Sequence, residues 1–297
     1  MDHSIDSILV PTDGSEGAET GVRHGIGLAA DVGADLHVLS AVDALEINPS
    51  LAGVDEEDPK SQFEATATRA VEEIVELAQP HLDGEIATTV QWGRPFRLIT
   101  EYAANNDIDL IVMGTHGRSG LTRLVLGSVA EKVLRTTTVP VVMVPPGATT
   151  DGVDVDYSEI LLPTDGSTGA EAAVDWGLTL ADSYDGSVHT VYAVDTARFA
   201  GEGEMMGVYD ALEQTGEAAL DAVRQQAHEV GVDVTATLGT GSAARVIRSY
   251  SEDHDVDLIV MGTHGRSGVE RYLIGSVTES VVRHTEVPVC CIPLGET

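Results

Sequence analysis

At 297 residues and 42% apolar, the chain is long enough for two domains of about 150 residues, each able to bury its own core. Sixteen basic residues stand against forty-nine acidic ones, a net charge of −33. That balance excludes a nucleic-acid partner, because no basic stripe is present to displace phosphate counterions. No eighteen-residue apolar run occurs, so no membrane-spanning helix and no membrane partner are expected.

The start MDHSIDSILVPTDGS lacks both a basic leader and an apolar stretch, so no secretory signal is expected. Residues 8–11 read as a short buried strand, and Asp13-Gly14-Ser15 turns the chain into a helix reaching about residue 32. A second strand is expected over 36–42. After the acidic stretch 55–58, read as a solvated insertion, Phe63, Ala67, Ala70, Val71, Ile74 and Ala78 recur at helical spacing. Residues 86–92 alternate like a strand, and Pro95 suits the first turn of a helix. Residues 110–113 form an apolar run of the kind buried in parallel sheets. A helix over 127–137 and a last strand over 139–144 complete the set.

The set then returns. ILVPTDGS at 8–15 reappears as ILLPTDGS at 160–167, and DLIVMGTHGRSG at 109–120 reappears letter for letter at 257–268. GSVAEKVLRTTTVPVVMVP at 127–145 returns as GSVTESVVRHTEVPVCCIP at 275–293. A single repetition at this length means two whole domains, expected at 1–146 and 158–297 with a polar linker over 147–157. Strand-helix alternation in each predicts an α/β fold with two tandem doubly wound parallel sheets.

Ligands of such sheets lie beyond the carboxyl ends of the strands, where strand order reverses. Two loops occupy that position: Pro11-Thr12-Asp13-Gly14-Ser15, and the stretch from Gly114 to Ser128. The second contains Gly114, Gly117, Gly120 and Gly127, which allow close backbone approach. Ser128 is expected to cap the following helix, whose N-terminus favours an anion. His116, Arg118 and Arg123 add a local basic cluster in an otherwise acidic chain. Phosphate is the anion this arrangement suits.

The spacing Gly114-xx-Gly117-x9-Gly127-Ser128, repeated as Gly262-xx-Gly265-x9-Gly275-Ser276, resembles the ATP-binding signature of the universal stress protein family. The PTDGS start and the VPV final strand resemble it too, so the likeness spans both halves. The resemblance implies Rossmann-like, adenine nucleotide alpha hydrolase-like domains, five strands each in the order 3-2-1-4-5. It implies ATP, or AMP or ADP, as ligand, with or without Mg²⁺, which Asp13 would hold through phosphate. Asp13 and Asp165 then contact the nucleoside, flanked by Pro11, Thr12, Pro163 and Thr164. Val42 and Val194 match a position whose backbone reads adenine. Met113 and Met261 border the ribose. Gly117, Gly127, Ser128 and Val129 match the phosphate cradle, as do Gly265, Gly275, Ser276 and Val277, with His116, Arg118, His264 and Arg266 in the same loops. The resemblance also implies that the last strands, 139–144 and 287–292, join the halves edge to edge, hiding sheet edges. A homodimer is a further arrangement open to it.

The second copy departs from the first. Thr122 becomes Glu270, Lys132 becomes Ser280, and Arg94-Pro95 becomes Ser242-Ala243, so its site is expected to bind nucleotide more weakly. Asp13 also reads as a plain helix cap, and His116 and His264 as solvated loop residues. His24, His81 and the other histidines lack ligand spacing, so no metal site is expected. Cys290 and Cys291, adjacent in VPVCCIP, suit buried inert thiols. Gly201–Gly207 suits a lid or a partner surface. Lys60 and Lys132 are the only lysines, and dispersed acid with little lysine suits a salt-loving cytoplasm, such as that of a halophilic archaeon.

Two functions stay open: a nucleotide-responsive sensor or regulator without strong catalysis, and a slow ATPase or phosphotransferase. GxxxxGK[ST] is missing and neither loop holds a lysine, which favours binding over phosphoryl transfer. No catalytic residue is assigned.

Overall fold

The computed structural model describes residues 4–43, 59–117, 126–148, 150, 152–195, 205–265 and 274–294, leaving aside the side chains of residues 59, 205, 206 and 208. The acidic stretch 55–58 and residues 201–204 lie outside them. The chain divides into two compact units, Ser4–Val155 and Asp156–Thr297.

In the first unit, β1 (Ser7–Thr12) leads into α1 (Glu16–Val32) and β2 (Asp35–Val42). Then come α2 (Pro59–Ala78), β3 (Ile86–Trp92), α3 (Pro95–Asn105), β4 (Leu110–Gly114), α4 (Ser128–Thr136) and β5 (Val141–Val144). The sheet is parallel, in the order β3-β2-β1-β4-β5. Ile8, Leu9, Val10, Ile111 and Val112 are fully enclosed, as a parallel sheet covered on both faces requires. β1 lies between β2 and β4, so the chain leaves it on one side and returns on the other. That reversal opens a crevice at the carboxyl ends of β1 and β4.

The second unit repeats the plan. It comprises β6 (Glu159–Pro163), α5 (Thr168–Ser183), β7 (Ser187–Val194), α6 (Met205–Val230), β8 (Val234–Thr240), α7 (Ala243–Asp253), β9 (Leu258–Gly262), α8 (Ser276–His284) and β10 (Val289–Ile292). Its order is β8-β7-β6-β9-β10, the same 3-2-1-4-5 arrangement. Cys290 and Cys291 are fully buried in β10, and burial pushes the Cys290 thiol up to about 12, so it stays protonated and unreactive.

Helix α1 has two working faces. Toward the sheet, Gly17 and Gly21 let its backbone meet β4; a Cβ on Gly21 would stand 2.3 Å from the Gly114 nitrogen. On another face it holds Ala148, Gly152, Val153 and Val155. His24 meets the Ala148 carbonyl through Nε2 at 2.9 Å, and Arg23 donates to Gly152 O at 2.9 Å while pairing with Glu19. At Gly27 a Cβ would lie 2.1 Å from Val153 O. In the second copy these positions are Asp175, Trp176 and Thr179, so α5 carries none of the three docking residues.

Burial holds the His24 ring below its ordinary pKa of 6.5, opposed by its bond to the Ala148 carbonyl. The folded ring therefore binds fewer protons than the unfolded one. Its contribution to stability is intact above about pH 6.5 and is lost as pH falls below that value. The melting temperature of the first unit should drop between pH 7.5 and pH 5.5, and His24→Gln should flatten that drop. A slope unchanged by the substitution would assign the acid sensitivity elsewhere.

Candidate nucleotide site

The first loop is fixed by its own polar side chains. The Thr12 hydroxyl accepts the Gly14 N–H at 3.0 Å, and Asp13 Oδ1 accepts the Ser15 N–H at 3.0 Å and the Ser15 hydroxyl. Gly14 sits at φ 72°, where a side chain is strained. Ser15, with extended backbone, caps α1 by accepting the Ala18 N–H at 3.3 Å. Asp13 is thus not the helix cap. One of its carboxylate oxygens locks the turn, and the other, Oδ2, faces Gly117, where a Cβ would lie 2.7 Å away.

The glycine loop begins where β4 ends. A Cβ on Gly114 would stand 2.1 Å from Gly17 O, so only glycine allows this approach of helix and strand. Thr115 donates its N–H to Val144 O at 2.9 Å, and Gly127 donates to Thr115 O at 2.8 Å. The second bond draws both ends of the loop together. The Thr115 hydroxyl lies 2.8 Å from His116 Nδ1.

Ser128 differs from its expected role. Gly127 holds the cap position at φ −59° and ψ 143°, without a side-chain cap bond, and Ser128 is the first helical residue. The Gly127 N–H is bound to Thr115 O just past the strand end, and the helix starts one residue earlier than a serine cap would set it. The first helical bond runs from Glu131 N–H to Gly127 O. The N–H groups of Ser128, Val129 and Ala130 precede it, and such groups at a helix N-terminus attract anions.

These parts enclose a pocket of about 170 Å³. Of the residues singled out in the sequence, the pocket brings together Pro11, Thr12, Asp13, Met113, Gly114, His116, Gly117, Gly127, Ser128 and Val129. Val42 is not among its walls; it is buried at the end of β2 with its carbonyl accepting the Gly93 N–H at 3.0 Å. Leu39 and Ala41 of β2 line the pocket instead, with Ala18 of α1, Pro95 and Ile99 of α3, Thr115, and Ala130 of α4. Strand alternation signals the first pair, since Leu39 and Ala41 share one face of β2 and Val42 the other. Helical spacing signals the α3 pair, four residues apart. Arg118 and Arg123 lie outside the described residues.

The second unit repeats the geometry. Asp165 Oδ1 accepts the Ser167 N–H at 3.0 Å, the Thr164 hydroxyl accepts the Gly166 N–H at 3.1 Å, and Ser167 caps α5. A Cβ on Gly265 would lie 2.7 Å from Asp165 Oδ2. Gly275 donates to Thr263 O at 2.7 Å, and Thr263 Oγ1 lies 3.0 Å from His264 Nδ1. Pro163 ends β6, Met261 and Gly262 end β9, and Ser276 and Val277 open α8. Val194, like Val42, has its carbonyl taken, here by the Gly241 N–H at 3.0 Å. Arg266 and Glu270 lie outside the described residues. Around the pocket, Leu39, Pro95 and Ala130 correspond to Val191, Ala243 and Thr278.

Among the described residues, no group of three or more His, Cys, Asp or Glu side chains is gathered to hold a metal ion. No described helix is long and apolar enough to cross a membrane.

Comparison with known proteins agrees with this arrangement. A universal stress protein of Methanocaldococcus jannaschii is 36% identical over 139 residues, covering 46% of this chain and 82% of that one. A solved universal stress protein of Archaeoglobus fulgidus shares the fold over 99% of this chain and 98% of its own, with a TM-score of 0.73 at 22% identity. A functionally unknown protein of Pseudomonas aeruginosa is similar over 98% of this chain and 93% of its own, with a TM-score of 0.65 at 18% identity. The model of the universal stress protein family matches twice, over residues 4–145 and 156–293. With that double match over nearly its whole length, the chain belongs to the universal stress protein family.

Proposed function

We propose that each half binds an adenine nucleotide, ATP foremost with AMP and ADP as alternatives, and that the protein acts as a nucleotide-responsive stress sensor or regulator without strong catalysis. The observation that carries the proposal is Asp13 Oδ2 lying directly against Gly117 in the pocket wall, with the N-terminus of α4 lining the same pocket. A carboxylate accepts from vicinal sugar hydroxyls, and a helix N-terminus receives phosphate. Leu39, Ala41, Pro95 and Ile99 supply apolar surface for a base. At about 170 Å³ the pocket is smaller than the roughly 300–1,000 Å³ of sites that engulf drug-sized ligands. Under this reading the base and sugar lie in it, with the phosphates toward its mouth. Mg²⁺ would enter with those phosphates, since it keeps several waters and leans on its substrate.

Both sites share the turn, the carboxylate and the glycine neck, so both bind, the second more weakly through the charge of Glu270 and the loss of Lys132 and Pro95. The last strands of the two halves pair edge to edge under the same proposal, and homodimerisation is open to it. The acidic, lysine-poor sequence suits a salt-rich cytoplasm, as in a halophilic archaeon. Neither glycine loop carries a lysine, which phosphoryl-transfer sites of this kind use. Asp13→Ala and Asp165→Ala, each alone, should remove one of two ATP-binding events in calorimetry, and the double variant should remove both. Undiminished binding by the double variant would overturn the proposal.

A further inference from the structure

The glycine loops open identically in the two copies, at 109–120 and 257–268. The helices behind them do not match. Ala130 lines the first pocket and is 3% exposed. Thr278 holds the same place in the second unit, equally buried, and its hydroxyl donates to the Gly262 carbonyl at 2.8 Å.

The direction of that carbonyl follows from the ladder. In β4, Ile111 and Thr115 donate their N–H groups toward β5, to Pro140 O and Val144 O. Peptide groups of alternate residues point to opposite sides of a strand, so Gly114 presents its carbonyl on the β1 side. β1 pairs with β4 only at Ile8 and Leu9, and Gly114 lies beyond that pairing, at the crevice. In β9, Ile259 and Thr263 donate toward β10, to Pro288 O and Ile292 O, and Gly262 likewise faces β6. The two strand-end carbonyls thus occupy the same place. The second is bonded by the Thr278 hydroxyl, whereas the equivalent residue in the first unit, Ala130, has no hydroxyl to donate.

We infer that Thr278 is a specificity-determining residue, which engages the strand-end carbonyl of the second site and relaxes that site's discrimination among sugar hydroxyls. The inference rests on the proposed nucleotide binding. In the first site a sugar hydroxyl meets two acceptors, Asp13 Oδ2 and Gly114 O. In the second, Thr278 occupies one of the two lone pairs of Gly262 O and weakens it as an acceptor for a ligand, leaving Asp165 Oδ2 the main one. A site that loses an acceptor for a ligand hydroxyl loses part of its ability to reject the analogue lacking it.

The test compares ATP with 2′,3′-dideoxy-ATP by calorimetry on full-length chains with one site silenced. Gly117→Val silences the first site and Gly265→Val the second, with Asp13→Ala and Asp165→Ala as substitutes should either valine variant misfold. The first site should favour ATP over the dideoxy analogue by a ratio roughly three- to tenfold larger than the second, the worth of one hydrogen bond. Thr278→Ala should raise the second site's ratio toward the first's, and Ala130→Thr should lower the first site's ratio. Both exchanges use a residue already packed at that place in the other copy. Equal ratios at the two sites, or ratios unmoved by both exchanges, would overturn the inference while leaving nucleotide binding intact. Failure of ATP itself to bind the unsubstituted chain would overturn the underlying proposal as well.

Discussion

Gly117→Val should weaken ATP binding at the first site by about a hundredfold, while the unit stays folded. The Cβ alone would lie 2.7 Å from Asp13 Oδ2, well inside contact distance. The carboxylate must then rotate away from the pocket, and the valine methyls enter the space it served. Displacing a charged acceptor removes hydrogen bonds worth about 1.5–3 kcal/mol. Asp13 fastens its turn to Ser15 through Oδ1, the oxygen that the valine does not meet, so the melting temperature should move little. Gly265→Val should do the same at the second site, opposite Asp165. Calorimetry of the single variants reads the effect directly. ATP binding at undiminished affinity in Gly117→Val would mean that Asp13 does not face the ligand.

Gly21→Leu should have the largest effect on stability. A Cβ there would stand 2.3 Å from the Gly114 nitrogen and 2.7 Å from the Met113 carbonyl carbon. Both obstacles are backbone of a central strand, which cannot swing aside as a side chain can. Overpacking of this kind costs on the order of 3 kcal/mol, and for a unit of this size the melting temperature should fall by roughly 10 °C. Gly33→Ala is the control: φ is 71° but nothing lies within 4 Å of the added Cβ, so the cost should be about 1 kcal/mol. The two substitutions separate close approach from backbone strain. A Gly21→Leu chain melting no lower than the Gly33→Ala chain would refute the close contact between α1 and β4. The same contact links stability to the site, because Gly114 lies at the pocket and at the helix face together.

The strands and the repeat were legible in the sequence because their signals are local. Ile8, Leu9 and Val10 form an apolar run that only a doubly covered strand tolerates, and the copy at 160–162 repeats it. The strand order and the nucleoside role of Asp13 came from resemblance, since no periodicity states which strands are neighbours. Less legible were residues whose importance depends on a distant partner. Gly17 and Gly21 read as weak points in a helix, and only contact with β4 reveals why a side chain is excluded. Ser128 carries the chemistry of a cap, yet the Gly127 bond to Thr115 O, set by a strand in another part of the chain, moves the helix start. Ala41 was within reach through strand alternation from Val42. Thr278 was not, because its meaning lies in a carbonyl sixteen residues away. His24 and Gly27 likewise make sense only once Ala148 and Val153 are seen against α1.

Titration of the intact chain with ATP in molar KCl and Mg²⁺, followed by chromatography of the recovered nucleotide, tests the central claim most directly. The expected result is close to two ATP bound per chain, the first more tightly than the second, with the nucleotide recovered as ATP. No binding of ATP, ADP or AMP under these conditions would contradict it, leaving the glycine necks and the Asp13 and Asp165 turns with a structural role alone.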